Sequence, residues 1–405
     1  MNDLQPLDRR GFLSLCIGSA ALASTGFSKA KGWDEVRKQF PLDPVLIYMN
    51  NGGLGPSPHA VIETITREMM ALERISETGH AKVEAVREKA CRFFNCSEEE
   101  LAFTRSTTEG MNIIARGLPL EKGDEVMLST HEHPGGSMCW LALMKDKGIN
   151  VKLFEPDDPI GRIAAGMTPR TRVVSISHVT CTTGLKVPAR EIASLCREKG
   201  VFSVFDGAQS AGMFPIDLHD MGCDFYATSG HKWLLGPKGT GILYINKRNL
   251  DTWKPTYVGA YSDKAFDLDG LALELLKQAP ATEYGTRNTP LILGLGAAFD
   301  YLTSLGMERV AARGRELAAR LKKGLARNPS IETLTPMTEQ GSMVTFRPKG
   351  KKADPWQWVN RLKKEHRIRV RPVGEHGLNA IRVSTHIYNT KDEVDRLLAA
   401  LDGMA

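Results

Sequence analysis

Four short runs in the middle of the chain, "EVMLST" (125–130), "NVKLFE" (150–155), "TRVVSISHVT" (171–180) and "VFSVFDGAQS" (201–210), are largely apolar or β-branched. A strand with one face in water alternates polar and apolar residues, whereas a continuous apolar run needs cover on both faces. Helical pieces stand between several of these runs, such as 189–200, "AREIASLCREKG", which ends on a glycine as helices often do. The pattern predicts an α/β fold: a mostly parallel sheet with helices packed on each side.

Upstream, residues 58–76 carry Val61, Ile62, Ile65, Met69 and Leu72 at helical spacing, and 81–94 continues in the same way. Downstream, the charged amphipathic stretch 306–328 is followed by "SMVTFRP", "WQWVNRLKKEH" and "AIRVST", an α+β alternation typical of a smaller domain. The turn-rich Thr289-Pro290 marks the boundary, giving a large domain over 31–290 and a small C-terminal domain over 291–405. A chain of 405 residues is long enough for such a pair.

Residues 1–30 are read as a targeting segment. Arg9-Arg10 precedes an apolar, small-residue run from Phe12 to Ala23, and small-x-small sites stand at 21–23 and 28–30. This resembles a twin-arginine signal, which implies use of the twin-arginine export machinery and a periplasmic location. The run is shorter than the roughly 20 residues of a membrane span, so no span is expected in the mature protein. A net charge of +6 over 405 residues, with no basic run, argues against nucleic acid as a partner. The seven cysteines (16, 91, 96, 139, 181, 196 and 223) lack metal-ligand or disulfide-framework spacing, and none lies beyond Cys223. His131-x-His133 has no third ligand at a suitable spacing, so no metal is expected.

Three stretches carry the chemistry. In 101–118 an apolar run leads into Ser106-Thr107-Thr108-Glu109-Gly110 and then a helical pattern; hydroxyls and amides at a helix start form an anion site or a plain N-cap. Asp206 ends an apolar strand, where a carboxylate is costly without a cation or donor; it suits a protonated heterocyclic nitrogen or the cap of the next helix. Lys232, in "TSGHKWLLGPKGTG" (228–241), is flanked by apolar and glycine residues. A buried lysine becomes a nucleophilic amine; the simpler alternative lays its stem along Trp233 with the head in water.

Taken together in this order, with 237–246 and "EYGTRNTP" (283–290), the stretches resemble the class V aminotransferase family of pyridoxal-phosphate enzymes, over about residues 45–390. The resemblance implies an aspartate-aminotransferase-like fold type I. It implies Lys232 as the covalent anchor of pyridoxal 5'-phosphate, Asp206 on the pyridinium nitrogen, Gln209 on the phenolic oxygen and His133 on the ring face. Thr107, Thr108, Ser229 and His231 are implied at the phosphate, with Gly285 and Thr286 reaching it from a neighbouring subunit of a homodimer. Arg382, which alternates with Ile381 and Val383, is implied as the grip on a substrate α-carboxylate.

The family's desulfurases use a cysteine in the C-terminal part of the chain, and this chain has none there; they carry asparagine where Cys181 stands. The motifs "NNGGLGPSP", "HEHPGG", "HVTCTTG" and "EYGTRNTP" resemble the isopenicillin N epimerase-like branch. Chemistry at Cα of an amino acid or amino-acid-containing metabolite is therefore expected, of epimerase or aminotransferase type, with Lys232 carrying the proton. Epimerisation adds the need for a second proton carrier on the other face. Modification of a siderophore peptide's glutamyl group in the periplasm is the alternative; desulfuration and non-catalytic cofactor binding rank below both.

Overall fold

A computed structural model describes residues 32–338, 341–350 and 354–404. The twin-arginine stretch and Cys16 lie outside the described residues.

After a short strand β1 (Ile47–Tyr48) come seven strands of one sheet: β2 (Leu101–Thr104), β3 (Glu125–Ser129), β4 (Asn150–Phe154), β5 (Thr171–Ser177), β6 (Phe202–Asp206), β7 (Phe225–Ser229) and β8 (Gly241–Ile245). Their spatial order is β2-β8-β7-β6-β5-β3-β4, and only β8 runs against the rest. Successive strand residues enter opposite cores. Val126, Leu128, Val173, Val204 and Phe225 belong to one, and Met127, Val174, Ile176, Phe205 and Tyr226 to the other. Two covered faces are what the apolar runs demand.

Strand β4 departs from that expectation. It is one edge of the sheet, paired only with β3, and Leu153 on it is exposed. An edge strand needs less cover than an interior one.

Helices α1 (His59–Ile75), α2 (Val83–Phe94), α3 (Thr107–Gly117), α4 (Pro134–Lys147) and α5 (Ala189–Glu198) belong to this half of the chain. Of the predicted stripe on α1, Val61 and Leu72 are buried, whereas Ile62 and Met69 are exposed. Helix α6 (Thr289–Leu305) begins at the Thr289-Pro290 turn and packs on α1 and α2, placing Ile292, Leu295 and Phe299 in the core of the large sheet. Strands β9 (Asp263–Asp267) and β10 (Ala272–Leu275) form a separate antiparallel hairpin.

The C-terminal core lies under a second, antiparallel sheet. Its strands β11 (Ile331–Thr333), β12 (Met343–Pro348), β14 (Arg371–Val373) and β15 (Ala380–Ser384) run in the order β11-β12-β15-β14. Helices α7 (Met307–Leu325), α8 (Pro355–His366) and α9 (Lys391–Asp402) supply Leu317, Leu321, Trp358, Leu362 and Leu397 to it. Residues from near the start also belong here. Strand β1 pairs in parallel with β13 (Ile368–Arg369), Asn50 bridges to Ser384, and Ile47 and Met49 enter the same core. No single helix among the described residues is long and apolar enough to cross a membrane.

Candidate active site

Strands β2, β3, β5, β6 and β7 point their carboxyl ends to one edge of the large sheet, the edge at which open α/β sheets take ligands. Asp206 is the last residue of β6, and Ala208 N donates to its Oδ1 at 2.8 Å. It is 4% exposed, and burial pushes its pKa up against the opposing pull of Lys232. Such a carboxylate is stabilised by a cation placed beside it.

Lys232 follows β7 in a loop tied down on both sides: Gly55 N donates to His231 O at 2.7 Å and His386 Nε2 to Trp233 O at 2.9 Å. A Cβ at Gly55 would stand 2.1 Å from Lys232 O, so this approach requires glycine. Trp233 is fully buried with its indole N–H on Gln209 Oε1 (2.9 Å), while Lys232 lines a cavity. The lysine stem is therefore not laid along that ring in water. Burial lowers its pKa, with Asp206 opposing and the charges of Arg382 and Arg371 adding.

At the N-terminus of α3, Ser106 caps Glu109 N, Thr107 N donates to Ser229 Oγ at 2.9 Å, and the hydroxyls of Thr107 and Ser229 are 2.7 Å apart. A helix start carrying these hydroxyls suits an anion. His231 borders it with Nδ1 buried and unpartnered; burial, reinforced by Lys232 and Lys238, lowers its pKa to about 4. His133 caps α4, accepting Gly135 N on Nδ1 at 3.0 Å, and burial takes its pKa down to about 4. It is thus a neutral ring with its proton on Nε2. Gln209 Nε2 donates to Gly52 O at 2.8 Å, which leaves its second amide hydrogen free.

Arg382, 2% exposed on β15, uses Nη1 on Cys181 O at 2.8 Å. Its Nε has no partner and its Nη2 meets only Asn50 Oδ1 at 3.4 Å. The guanidinium, which lines the cavity, thus keeps donors that no protein group satisfies, as suits a carboxylate. Burial, together with Arg371, brings its pKa down to about 10.

Thr107, Thr108, His133, Asp206, Gln209, Ser229, His231, Lys232 and Arg382 line one cavity of about 220 Å³. Gly285 and Thr286 do not: Thr286 lines a separate groove of about 370 Å³ with Arg105, Glu109 and Arg287. Cys181 is also outside the cavity lining, and burial raises its thiol to about 11; its carbonyl is what serves Arg382.

Sequence reasoning missed Arg371, which lines the cavity directly across the ladder from Arg382 and pairs with Glu375. Three residues of strand carry too little periodicity to single it out. It also missed Gly135 and Gly136: a Cβ at Gly135 would meet Thr108 Oγ1 at 2.4 Å, and one at Gly136 would meet Asp206 Oδ2 at 2.7 Å. The only signal was the paired glycine of "HEHPGG".

A lysine and a buried carboxylate at the α/β sheet edge, an anion site at a helix start and an under-satisfied guanidinium from the second sheet, gathered around one cavity, define a lysine-anchored cofactor enzyme. The chain belongs to the class V aminotransferase family, whose model matches residues 47–397, and is thus a pyridoxal-phosphate-dependent enzyme of fold type I. It is 33% identical to an isopenicillin N epimerase of Streptomyces clavuligerus, an alignment covering 92% of this chain and 98% of the relative. It is 29% identical to a probable cysteine desulfurase of Pyrococcus abyssi, over 91% of this chain and 96% of that one. Among solved structures, a cystine C–S lyase in complex with its product cysteine persulfide superposes with a TM-score of 0.84 at 30% identity, over 90% of this chain and 99% of the other. The site fits the cofactor: it has an orphaned imidazole nitrogen and hydroxyls for a phosphate and a buried carboxylate for a ring nitrogen, and behind that carboxylate stands Gly136, where a Cβ would collide with it.

Proposed function

We propose that this enzyme acts at Cα of an amino acid or of a metabolite containing one, by proton transfer of the epimerase or aminotransferase type, after export to the periplasm. The observation that carries the reading is Arg382, its Nε unpartnered and its Nη2 held only at 3.4 Å by Asn50 Oδ1, lining the same small cavity as Lys232 and Asp206. Lys232 anchors pyridoxal phosphate, Asp206 holds the proton on its ring nitrogen, and Thr107, Thr108, Ser229 and His231 hold its phosphate. Gln209 gives its free amide hydrogen to the phenolic oxygen, and neutral His133 covers the ring. The cofactor, when bound, supplies a ring that accepts the electrons released at Cα. Arg382 fixes the substrate by its carboxylate, and Lys232, its amine pKa lowered by burial, takes up and returns the proton at Cα.

The last cysteine of the chain is Cys223, which is buried in the core, so a persulfide-carrying thiol in the C-terminal part is absent. This favours Cα chemistry over desulfuration. Arg371 beside Arg382 supports the alternative substrate, a glutamyl group on a siderophore-like peptide. A homodimer with shared sites is supported by the groove around Thr286 and by exposed Phe266, Leu268, Leu271 and Leu273 on the β9–β10 hairpin, a patch that asks for cover. Export is supported by Arg9-Arg10 and the apolar run behind them.

Incubation of the holoenzyme in heavy water with L- and D-amino acids and a periplasmic extract tests the reaction. Deuterium at Cα of one compound, read by mass spectrometry, is expected and names the substrate. A substrate converted with its Cα–H intact would overturn the reading.

A further inference from the structure

The Asp206 side chain has a neighbour of the same charge that no role above employs. Glu132 sits between His131 and His133 in the loop after β3 and is 7% exposed. Its Oε1 accepts Ser129 Oγ at 2.5 Å and Ser177 N at 2.9 Å, and its Oε2 accepts Ser177 Oγ at 2.6 Å. Ser177 is the residue paired with Asp206 across the β5–β6 ladder. Three donors solvate Glu132 from β3 and β5, and no Lys or Arg among the described residues forms an ion pair with it. The titratable groups around it are Asp206 on β6, Cys181 after β5, and His131 and His133 on its own loop.

We propose that Glu132 is a positioning residue that sets the proton affinity of the cofactor held by Asp206, acting as a second buried negative charge behind the first. The idea rests on the pyridoxal-phosphate reading given above. A carboxylate needed only to hold a loop is replaceable by any group satisfying the same donors. A full charge in a site of low dielectric also stabilises protonated nitrogen nearby. Adjacent strands are about 4.8 Å apart, so a carboxylate bonded to Ser177 lies roughly two strand spacings or less from the cofactor edge that Asp206 holds. At that range a single charge moves a proton affinity about tenfold, or about one pH unit. Burial pushes the Glu132 carboxyl up to about 7, with its serine donors opposing, so its charge itself changes near neutrality.

The measurement is the visible absorbance of the purified holoenzyme followed from about pH 5 to pH 9, with bound cofactor quantified at each end. Glu132→Gln keeps the size and an acceptor for Ser177 N but removes the charge. Its chromophore transition is expected about one pH unit lower than in the wild type, with cofactor still bound at full stoichiometry. Ser177→Ala, which removes one hydroxyl donor from Glu132 and so favours its uncharged, protonated form, is expected to move the transition in the same direction by less. Full cofactor occupancy with an unshifted transition in Glu132→Gln would overturn the proposal while leaving the cofactor reading intact. If that variant fails to fold, an unshifted Ser177→Ala profile has the same force. A wild-type protein that acquires no chromophore would remove the cofactor reading, and this proposal with it.

Discussion

Lys232 stands out in the sequence because it sits where its chemistry is expensive: a lysine among glycines and apolar residues has lost water or is about to. Lys232→Ala is expected to bind pyridoxal phosphate without the absorbance of a Schiff base and to lose exchange at Cα, both read on one sample by spectrophotometry and mass spectrometry. Full exchange activity in that variant would end its assignment as proton carrier. Arg382 tests the substrate grip. Its planar fork divides between Cys181 O and donors that no protein group satisfies, a division that an ammonium cannot reproduce. Arg382→Lys is expected to lower kcat/KM by about 100-fold, equal to about 2.7 kcal/mol, mostly through KM. An unchanged KM would place the carboxylate elsewhere, with Arg371 the next candidate. Arg371 was invisible in the sequence because its importance comes only from standing opposite Arg382 on β15.

At the scale of elements, helix α4 shows how a site overrides local preference. Alanine is favoured over glycine inside a helix by about 1 kcal/mol, yet Gly136 lies within α4. A Cβ there would come within 2.7 Å of Asp206 Oδ2. Gly136→Ala is therefore expected to leave the thermal midpoint nearly unchanged while weakening cofactor binding at least tenfold, measured by equilibrium dialysis. Unaltered cofactor affinity would mean that Asp206 has room to yield. The loop 283–287 depends on a buried ion pair instead. Arg87 Nη1 and Nη2 meet Glu283 Oε1 and Oε2 at 2.7 and 3.0 Å, and Phe103 N donates to Oε1 at 2.7 Å. Glu283→Ala leaves the Arg87 charge buried without its partner and is expected to cost about 3–5 kcal/mol in chemical denaturation. A loss below about 1 kcal/mol would show that Glu84, the other partner of Arg87, suffices.

The whole molecule carries histidines that resist protonation. Burial lowers His178 to about 3 and His386 to about 4, against an ordinary value of 6.5. Folded-state values below the unfolded one mean that the unfolded chain binds more protons between them. Stability is thus fully present above about pH 6.5 and declines as pH falls toward 4, by up to about 3 kcal/mol for each residue. Urea midpoints at pH 7 and pH 5 check this; equal midpoints would contradict it. The exposed apolar hairpin makes a second prediction at this scale. If the hairpin forms the proposed homodimer interface, Leu271→Asp together with Phe266→Asp is expected to shift sedimentation from dimer to monomer; a wild-type monomer would remove the dimer proposal, and an unchanged dimer in the variant would exclude the hairpin from the interface. The residue order alone determined the α/β class and singled out the lysine, the strand-end carboxylate and the helix-start hydroxyls as polar groups placed where burial is costly, while leaving a surface lysine and plain helix caps open; their roles followed only from the family resemblance. Only the tertiary structure decided that β1 joins the C-terminal core, that β4 is an edge and that Thr286 opens on a separate groove. Pairing between residues hundreds of positions apart leaves no local pattern, since a strand's sequence records whether its faces are covered and not which neighbour covers them.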